Sequence, residues 1–378
     1  MIEVKVSLQL RPFKTLAAHE DPSSSLIAKP RGWLSSVLLV PAGLSYSALP
    51  WYAQTWLVAR AVLLPILFAL PLVCYADQPE LLRSAWYAPV MGIAACALPS
   101  AGVPVAGGIV FLPMLTLGGV CPRDAVAFSA ATQMLGVGVF APLNWLVLNP
   151  SVFIPEAWLY AAWPSCAGLL FSLLLAPLHS DGDLQVIYSL FCLFIAIYTI
   201  RGLLGGGLDT AESSAAQSIS NLGRWDHFFF GVAGVLGGWL TGYIGVSIEK
   251  VLFVLLTWRY GINARTASVT SIALVGWVSA LSFFIHATSP CQPGAPGYVG
   301  AVPYAYWLMG LPGILIGSVV GPQINQAIGS RNIMIGFVVL LLAEVTRNTL
   351  TSLGFLVDEA EEEQLCNPQA CAYDDWHY

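Results

Sequence analysis

Long apolar runs, interrupted by short polar or Gly/Pro-rich stretches, set the pattern of this chain. Runs at 34–49, 54–76, 125–148, 153–176, 184–204, 266–287, 302–321 and 332–355 predict eight candidate membrane spans, most of them near the ~20 residues that ~30 Å of hydrocarbon requires. Four other apolar pieces come in pairs, 85–99 with 109–119 and 226–243 with 248–258. Pieces of this length rise only about 16–22 Å at ~1.5 Å per residue, so most of them cannot cross alone; 226–243 is the longest. Each pair therefore reads as one helix broken by a polar or glycine-rich interruption.

The two interruptions share a register. At an offset of 142, Gly92, Gly119, Arg123, Ala125, Ser129 and Ala131 meet Gly234, Gly261, Arg265, Ala267, Ser271 and Ala273. Further on the offset is 145, where Gly168 and Pro177 meet Gly313 and Pro322. The pattern predicts an all-α polytopic membrane protein of two internal repeats, each a broken, re-entrant helix pair followed by three transmembrane helices. Re-entrant pairs give an odd number of crossings and inverted repeats; pairs that cross once give parallel repeats. Inversion is the favoured reading. The domain organisation that follows is a polar N-terminal segment (1–32), N-terminal membrane helices (33–76), repeat 1 (85–205), a Gly/Ser/Ala-rich linker (206–225), repeat 2 (226–355) and an acidic tail (356–378).

Composition agrees with the pattern. Hydrophobic residues make up 57% of the chain and charged residues 10%, against about a quarter charged in soluble globules. The net charge of −6 comes largely from Asp358, Glu359, Glu361, Glu362, Glu363, Asp374 and Asp375, a solvated tail that says little about the membrane part. Arg11, Lys14, Lys29 and Arg31 precede the first span and favour a cytoplasmic N-terminus. The leader before 33–49 is long for a signal peptide, so that segment reads as a span or an interfacial helix. Cys74, Cys96, Cys121, Cys166 and Cys192 lie in or beside apolar segments as small packing residues; pairing among Cys291, Cys366 and Cys371 is left open. Neither a phosphate-loop, dinucleotide, zinc nor nucleic-acid signature occurs at a convincing position, so no cofactor, metal or nucleic-acid partner is expected.

The run Gly107-Gly-Ile-Val-Phe-Leu-Pro-Met-Leu115 and the element from Gly119 to Ser129, with their counterparts Ile248-Glu-Lys-Val-Leu-Phe-Val-Leu-Leu256 and Gly261 to Ser271, resemble the TauE/SafE sulfite exporter family. The resemblance covers roughly 85–355. It implies transport of sulfite, thiosulfate, sulfonates or related small anions rather than an enzymatic activity. The chain departs from the family in the second half, where Ser247-Ile248-Glu249-Lys250 stands in place of a glycine-rich stretch and Leu255 stands at the position of Pro113.

A small oxyanion is held by backbone N–H groups at helix starts and by positive charge. Gly107 and Gly108 allow close backbone approach, and Lys250 adds a full charge. Glu249 is then its counter-ion or a proton-coupling group, because ionisable side chains at bilayer depth are costly and functional by default. Ser129, Thr132, Gln133, Ser247, Thr270 and Ser271 are further candidate contacts, although Ser and Thr in membrane helices often bond back to their own backbone. Asn144 and His286 lie further along the same helices. Arg123 and Arg265 are candidates to guide anions toward each mouth, or interfacial anchors. Trp145, Trp158, Trp163, Trp277 and Trp307 read as packing or interfacial aromatics. An intramembrane hydrolase built on Ser271 and His286 is excluded as a direct pair, since 15 residues along one helix separate them by ~22 Å. The expected partners are the lipid bilayer, a small anion and protons as a coupling ion; an anion channel or a proton-coupled carrier of a non-sulfur substrate is the alternative.

Overall fold

A computed structural model of the protein describes residues 49–104, 107–117, 120, 122–148, 152–174, 181–204, 223–245, 247–288, 300–328 and 330–352. The polar N-terminal segment, the 34–49 run apart from Leu49, nearly all of the linker, the acidic tail, Cys121, Cys291, Cys366 and Cys371 lie outside the described residues. Every regular element among those described is helical. Helix α1 (Trp51–Cys74) and the short α2 (Pro79–Ser84) precede α3 (Ala88–Ser100) and α4 (Gly108–Leu117). Then α5 (Pro122–Leu135), a π-helical segment (Gly136–Phe140) and α6 (Ala141–Leu148) run on into one another, followed by α7 (Pro155–Leu174) and α8 (Asp181–Leu204). The second half has α9 (Arg224–Ile244), α10 (Ile248–Val254) with a π-helical extension (Leu255–Arg259), α11 (Ala264–Thr288), α12 (Tyr304–Ile328) and α13 (Ser330–Ser352).

Five helices among the described residues are long and apolar enough to cross a membrane: α1, 123–148, α7, α11 and Tyr304–Asn325 of α12. Their apolar surface is turned both ways. In α1, Ala53, Leu57, Arg60, Leu67 and Pro71 are buried at helical spacing, whereas Val58, Val62, Ile66, Leu72 and Val73 are exposed. An outer face of this kind suits lipid, not water. The breaks fall where the interrupted pattern predicts them, at 101–107 and 245–247.

Packing joins the halves by exchange. The first helix of one half lies along α12 of the other, since α3 packs on α12, and the first helix of the second half, α9, packs on α7. Both pairs are parallel and both use small residues to bring backbones together. A Cβ on Gly92 would lie 2.7 Å from Gly310 O; one on Gly234 would lie 2.8 Å from Ala161 O and 3.1 Å from Ser165 N. Further along, Gly317 and Gly321 meet Ala97 and Ser100, while Gly238 and Gly242 meet Ser165 and Ser172. The last helices of the halves, α8 and α13, pack on each other.

The middle helices pack on each other too, and antiparallel. Gly138 and Gly276 touch backbone to backbone, a Cβ on Gly138 falling 2.7 Å from Gly276 Cα. Seven residues along, Trp145 clusters with Val269; seven residues back, Ala131 shares a cluster with Phe283. This crossing forms the centre of the molecule.

Both broken elements turn back on themselves. Ala88, Met91 and Ala95 of α3 form one cluster with Phe111 and Leu115 of α4. Arg259 and Tyr260, at the end of the second element, reach Asp226 near its start: Arg259 Nη2 donates to Asp226 Oδ1 at 3.2 Å and Tyr260 OH to the same oxygen at 3.0 Å. The Tyr260 ring stacks on Phe230 at 5.3 Å.

Candidate functional site

The second break begins where α9 ends at Gly245, whose φ of +75° is the left-handed conformation that glycine adopts without strain. Ser247 follows in an extended conformation and α10 starts. Three side chains engage the freed backbone. Thr241 Oγ1 accepts the Ile248 N–H at 3.1 Å while donating to Gly237 O at 2.8 Å. Gln133 of α5, from the other half, donates to Gly245 O at 3.4 Å and makes a short bond to Ser129 Oγ. Val126, one turn before Ser129, packs on Gly245 at the position a Cβ would approach to 3.2 Å.

Directly after this turn stand Glu249 and Lys250, both fully buried. Lys250 Nζ donates to Glu249 Oε1 at 3.3 Å, with the lysine side chain 1% and the glutamate 0% exposed. A buried ion pair requires good geometry to offset desolvation of both groups, and replacing one by apolar residues is often neutral or stabilising. Stability alone is therefore a weak reason for a lysine and a glutamate here. The Gln133 Oε1, 2% exposed as a residue, has no hydrogen-bond partner among the described residues, nor has the Oγ of Ser268, 0% exposed, on α11, the helix packed against α10.

The first break is built differently. Its turn uses Gly102 at φ +82°, and its carbonyls are taken by side chains: Trp145 Nε1 donates to Ser100 O at 2.9 Å and Asn325 Nδ2 to Ala101 O at 2.5 Å. A Cβ on Gly107 would stand 2.8 Å from the Phe111 ring and 3.1 Å from Ala95 O. The close approach of α4 to α3 therefore uses the space at Gly107. Gly108, also buried, opens α4.

The other predicted residues separate into two groups. Ser129, Gln133, Ser247, Glu249 and Lys250 gather at the second break. Thr132 Oγ1 donates back to Phe128 O and Ser129 O, each at 2.9 Å, and Ser271 Oγ to Ser268 O at 2.9 Å. Thr270 Oγ1 accepts the Ile154 N–H at 3.2 Å and so holds the start of α7. Arg123 is exposed in the first turn of α5, and Arg265 is half-buried in the first turn of α11. Because the two helices run antiparallel, the arginines stand at opposite ends of the central pair. The contacts described at Gly107 and those at Glu249 and Lys250 have no residue in common.

Sequence reasoning missed Thr241, Asn325, Ser318 and Arg60. A lone arginine inside the apolar run 54–76 is a signal that could have flagged the last. Asn144 and His286, matched at the offset of 142, are both buried: Asn144 bonds to Arg60 and Trp56, and His286 Nδ1 lies 3.0 Å from Gly300 O. A cavity of about 410 Å³ between α6 and α11, lined by Gly138, Trp145, Val152, Trp158, Val269 and Ala273 among others, carries no ionisable side chain in its wall, which suits no small anion.

No curated protein and no solved structure matches the chain. The family model described as sulfite exporter TauE/SafE matches residues 88–346, from the first residue of α3 into α13. Its limits enclose both broken elements, the central antiparallel crossing and the exchanged pairs. On that match, and with helices long and apolar enough to cross a bilayer several times, the chain is an integral multi-pass membrane protein that belongs to the TauE/SafE sulfite exporter family.

Proposed function

We propose that the protein moves small sulfur-containing anions, with sulfite and thiosulfate the leading candidates, by alternating access between two inverted repeats. The observation that carries this reading is the fully buried Lys250–Glu249 pair at a chain break. Non-helical backbone at membrane depth is tolerated where it lines a cavity, and a lysine beside it supplies the charge an oxyanion needs. Lys250 holds the anion, Glu249 is its resting counter-ion and takes a proton when the anion displaces it, and Ser129 contributes a neutral hydroxyl donor from the opposite half, held in place by Gln133. Gly107 and Gly108 form the other wall, and Arg123 and Arg265 draw anions to the two mouths.

Inversion is supported by the direction of packing. Corresponding helices related by an axis along the membrane normal run parallel; those related by an axis in the membrane plane run antiparallel. The α5–α6 rod and α11, which share the Arg, Ala and Ser register, cross antiparallel at Gly138 and Gly276. The reciprocal pairs α3 with α12 and α9 with α7 fit the same two-fold exchange, and the turned-back hairpins give each repeat the odd number of crossings that inversion requires.

The test is flux in liposomes holding the purified full chain, comparing sulfite, thiosulfate, sulfate and short sulfonates with and without a pH gradient. Saturable sulfite or thiosulfate exchange accelerated by the gradient is expected. Continuous non-saturating current would identify a channel, and transport confined to non-sulfur anions would overturn the substrate assignment.

A further inference from the structure

One carboxamide at the second break is satisfied at its nitrogen and not at its oxygen. Val126, Ser129 and Gln133 are spaced three and four residues apart on α5 and so share one face. That face meets the break: Val126 packs on Gly245, and Gln133 Nε2 donates to Gly245 O at 3.4 Å. A carbonyl oxygen can only accept, so this bond turns the nitrogen of the carboxamide toward the backbone and fixes which way round the group stands. The same nitrogen donates to Ser129 Oγ, which leaves the serine hydroxyl its own proton to give. Gln133 Oε1, at the other corner of the carboxamide, has no hydrogen-bond partner among the described residues, although Gln133 is only 2% exposed.

A buried acceptor left without a donor is costly and uncommon in native structures. A hydrogen that arrives with the solute would satisfy it. Lys250 and the Ser129 hydroxyl are donors, and they serve any oxyanion alike. Gln133 Oε1 serves only an oxyanion that itself carries a hydrogen. Hydrogen sulfite has an O–H; the sulfite dianion, sulfate, thiosulfate and alkyl sulfonates have none at neutral pH. A site that takes a hydrogen bond from a substrate O–H rejects analogues lacking it, because its own buried group is then left unpaired.

We infer that the second break selects the singly protonated anion hydrogen sulfite, with Gln133 Oε1 accepting its O–H while Lys250 and Ser129 hold its charged oxygens. The inference rests on the transport reading above and narrows it, since thiosulfate becomes the weaker of the two leading candidates. The proton stays on the solute throughout.

The test is competition against sulfite flux in liposomes holding the full chain, at one pH near neutrality, with sulfite counted as its hydrogen sulfite fraction. Methanesulfonate is the sharpest competitor, for it matches hydrogen sulfite in charge and in its three oxygens but has no O–H; sulfate and thiosulfate are the dianionic arms. The wild type is expected to hold each of the three about tenfold or more weakly than hydrogen sulfite. Gln133→Met removes the acceptor at similar volume and is expected to bring methanesulfonate and hydrogen sulfite together. Ser129→Ala removes a donor that every oxyanion uses, so it weakens all of them and keeps their ratio. Should Gln133 only tether Gly245, Gln133→Met would shift every anion alike, and the inference would fall. A wild type that takes methanesulfonate or thiosulfate as readily as hydrogen sulfite overturns it with the transport reading intact, and this arm decides the matter if Gln133→Met does not fold. A wild type that neither binds nor moves any of these anions overturns both readings.

Discussion

The two breaks solve one problem with opposite chemistry. At 101–107 the freed carbonyls are covered by neutral side chains, Trp145 from the same half and Asn325 from the other. At 245–247 the freed groups are met by Thr241 from the same half and Gln133 from the other, and a full ion pair follows at once. Unwound backbone in a bilayer must be satisfied by protein, and in both places one partner is local while the other comes across the fold. The difference lies in charge: the first break has the geometry of a tethered turn, the second that of a tethered turn with a titratable pair attached.

The sharpest way to break this comparison is Lys250→Ala, which removes the charge and is expected to abolish anion flux, a loss of about 100-fold or more if the contact to a desolvated anion is worth ~3 kcal/mol. Since that change also deprives Glu249 of a buried partner, which can cost about 3–5 kcal/mol, the double variant Glu249→Gln with Lys250→Met serves beside it. It retains the fold by its melting temperature and remains inactive; restored flux in either variant would show the pair to be structural. Next in size is the central crossing: Gly276→Val places a side chain against the Gly138 backbone, and overpacking of this kind costs about 1–3 kcal/mol or more. A melting temperature equal to wild type would mean the two helices part more easily than their contact implies. Third, Asn325→Ala uncovers Ala101 O and is expected to destabilise by ~1–3 kcal/mol while leaving the KM for sulfite within about twofold, whereas Gln133→Ala raises KM at comparable stability. If both behave alike, the contrast between a side chain that only tethers a turn and one that holds a substrate contact in place fails. The smallest effect is Thr241→Val, about 1 kcal/mol for one unmet amide, read from the urea or thermal midpoint in detergent.

Much of this architecture was legible in the chain and part was not. Gly102, Gly107 and Gly108, and the Gly245-to-Lys250 stretch, interrupt apolar periodicity, so both breaks were placed from sequence to within a residue or two. Helix ends followed from run length. The reciprocal packing of α3 on α12 and α9 on α7 was hidden, because contact between residues about 70 or more than 200 positions apart leaves no periodic trace in one sequence. Thr132 and Thr270 illustrate a second limit: hydroxyls of one type on the two helices of the central crossing serve a backward bond in one case and the start of α7 in the other, a choice set by what lies opposite. Arg60 was overlooked for a third reason, since one cation among 23 mostly apolar residues hardly lowers the hydropathy of the run. The π-helical segment Gly136–Phe140, likewise, begins where Gly136 meets Cys96 and Ile314, neighbours the local sequence does not announce.

The exchanged pairing of α3 with α12 has a consequence for how the protein is made. A ribosome adding ~5–20 residues each second releases α3 (Ala88–Ser100) some 200 residues before α12 (Tyr304–Ile328), so the short first helix waits on the order of 10–40 s for its final neighbour. During that interval the flank of α3 that carries Gly92, Ala97 and Ser100 must be sheltered by lipid or by the insertion machinery, and neither half, synthesised by itself, would possess the helix that shelters it.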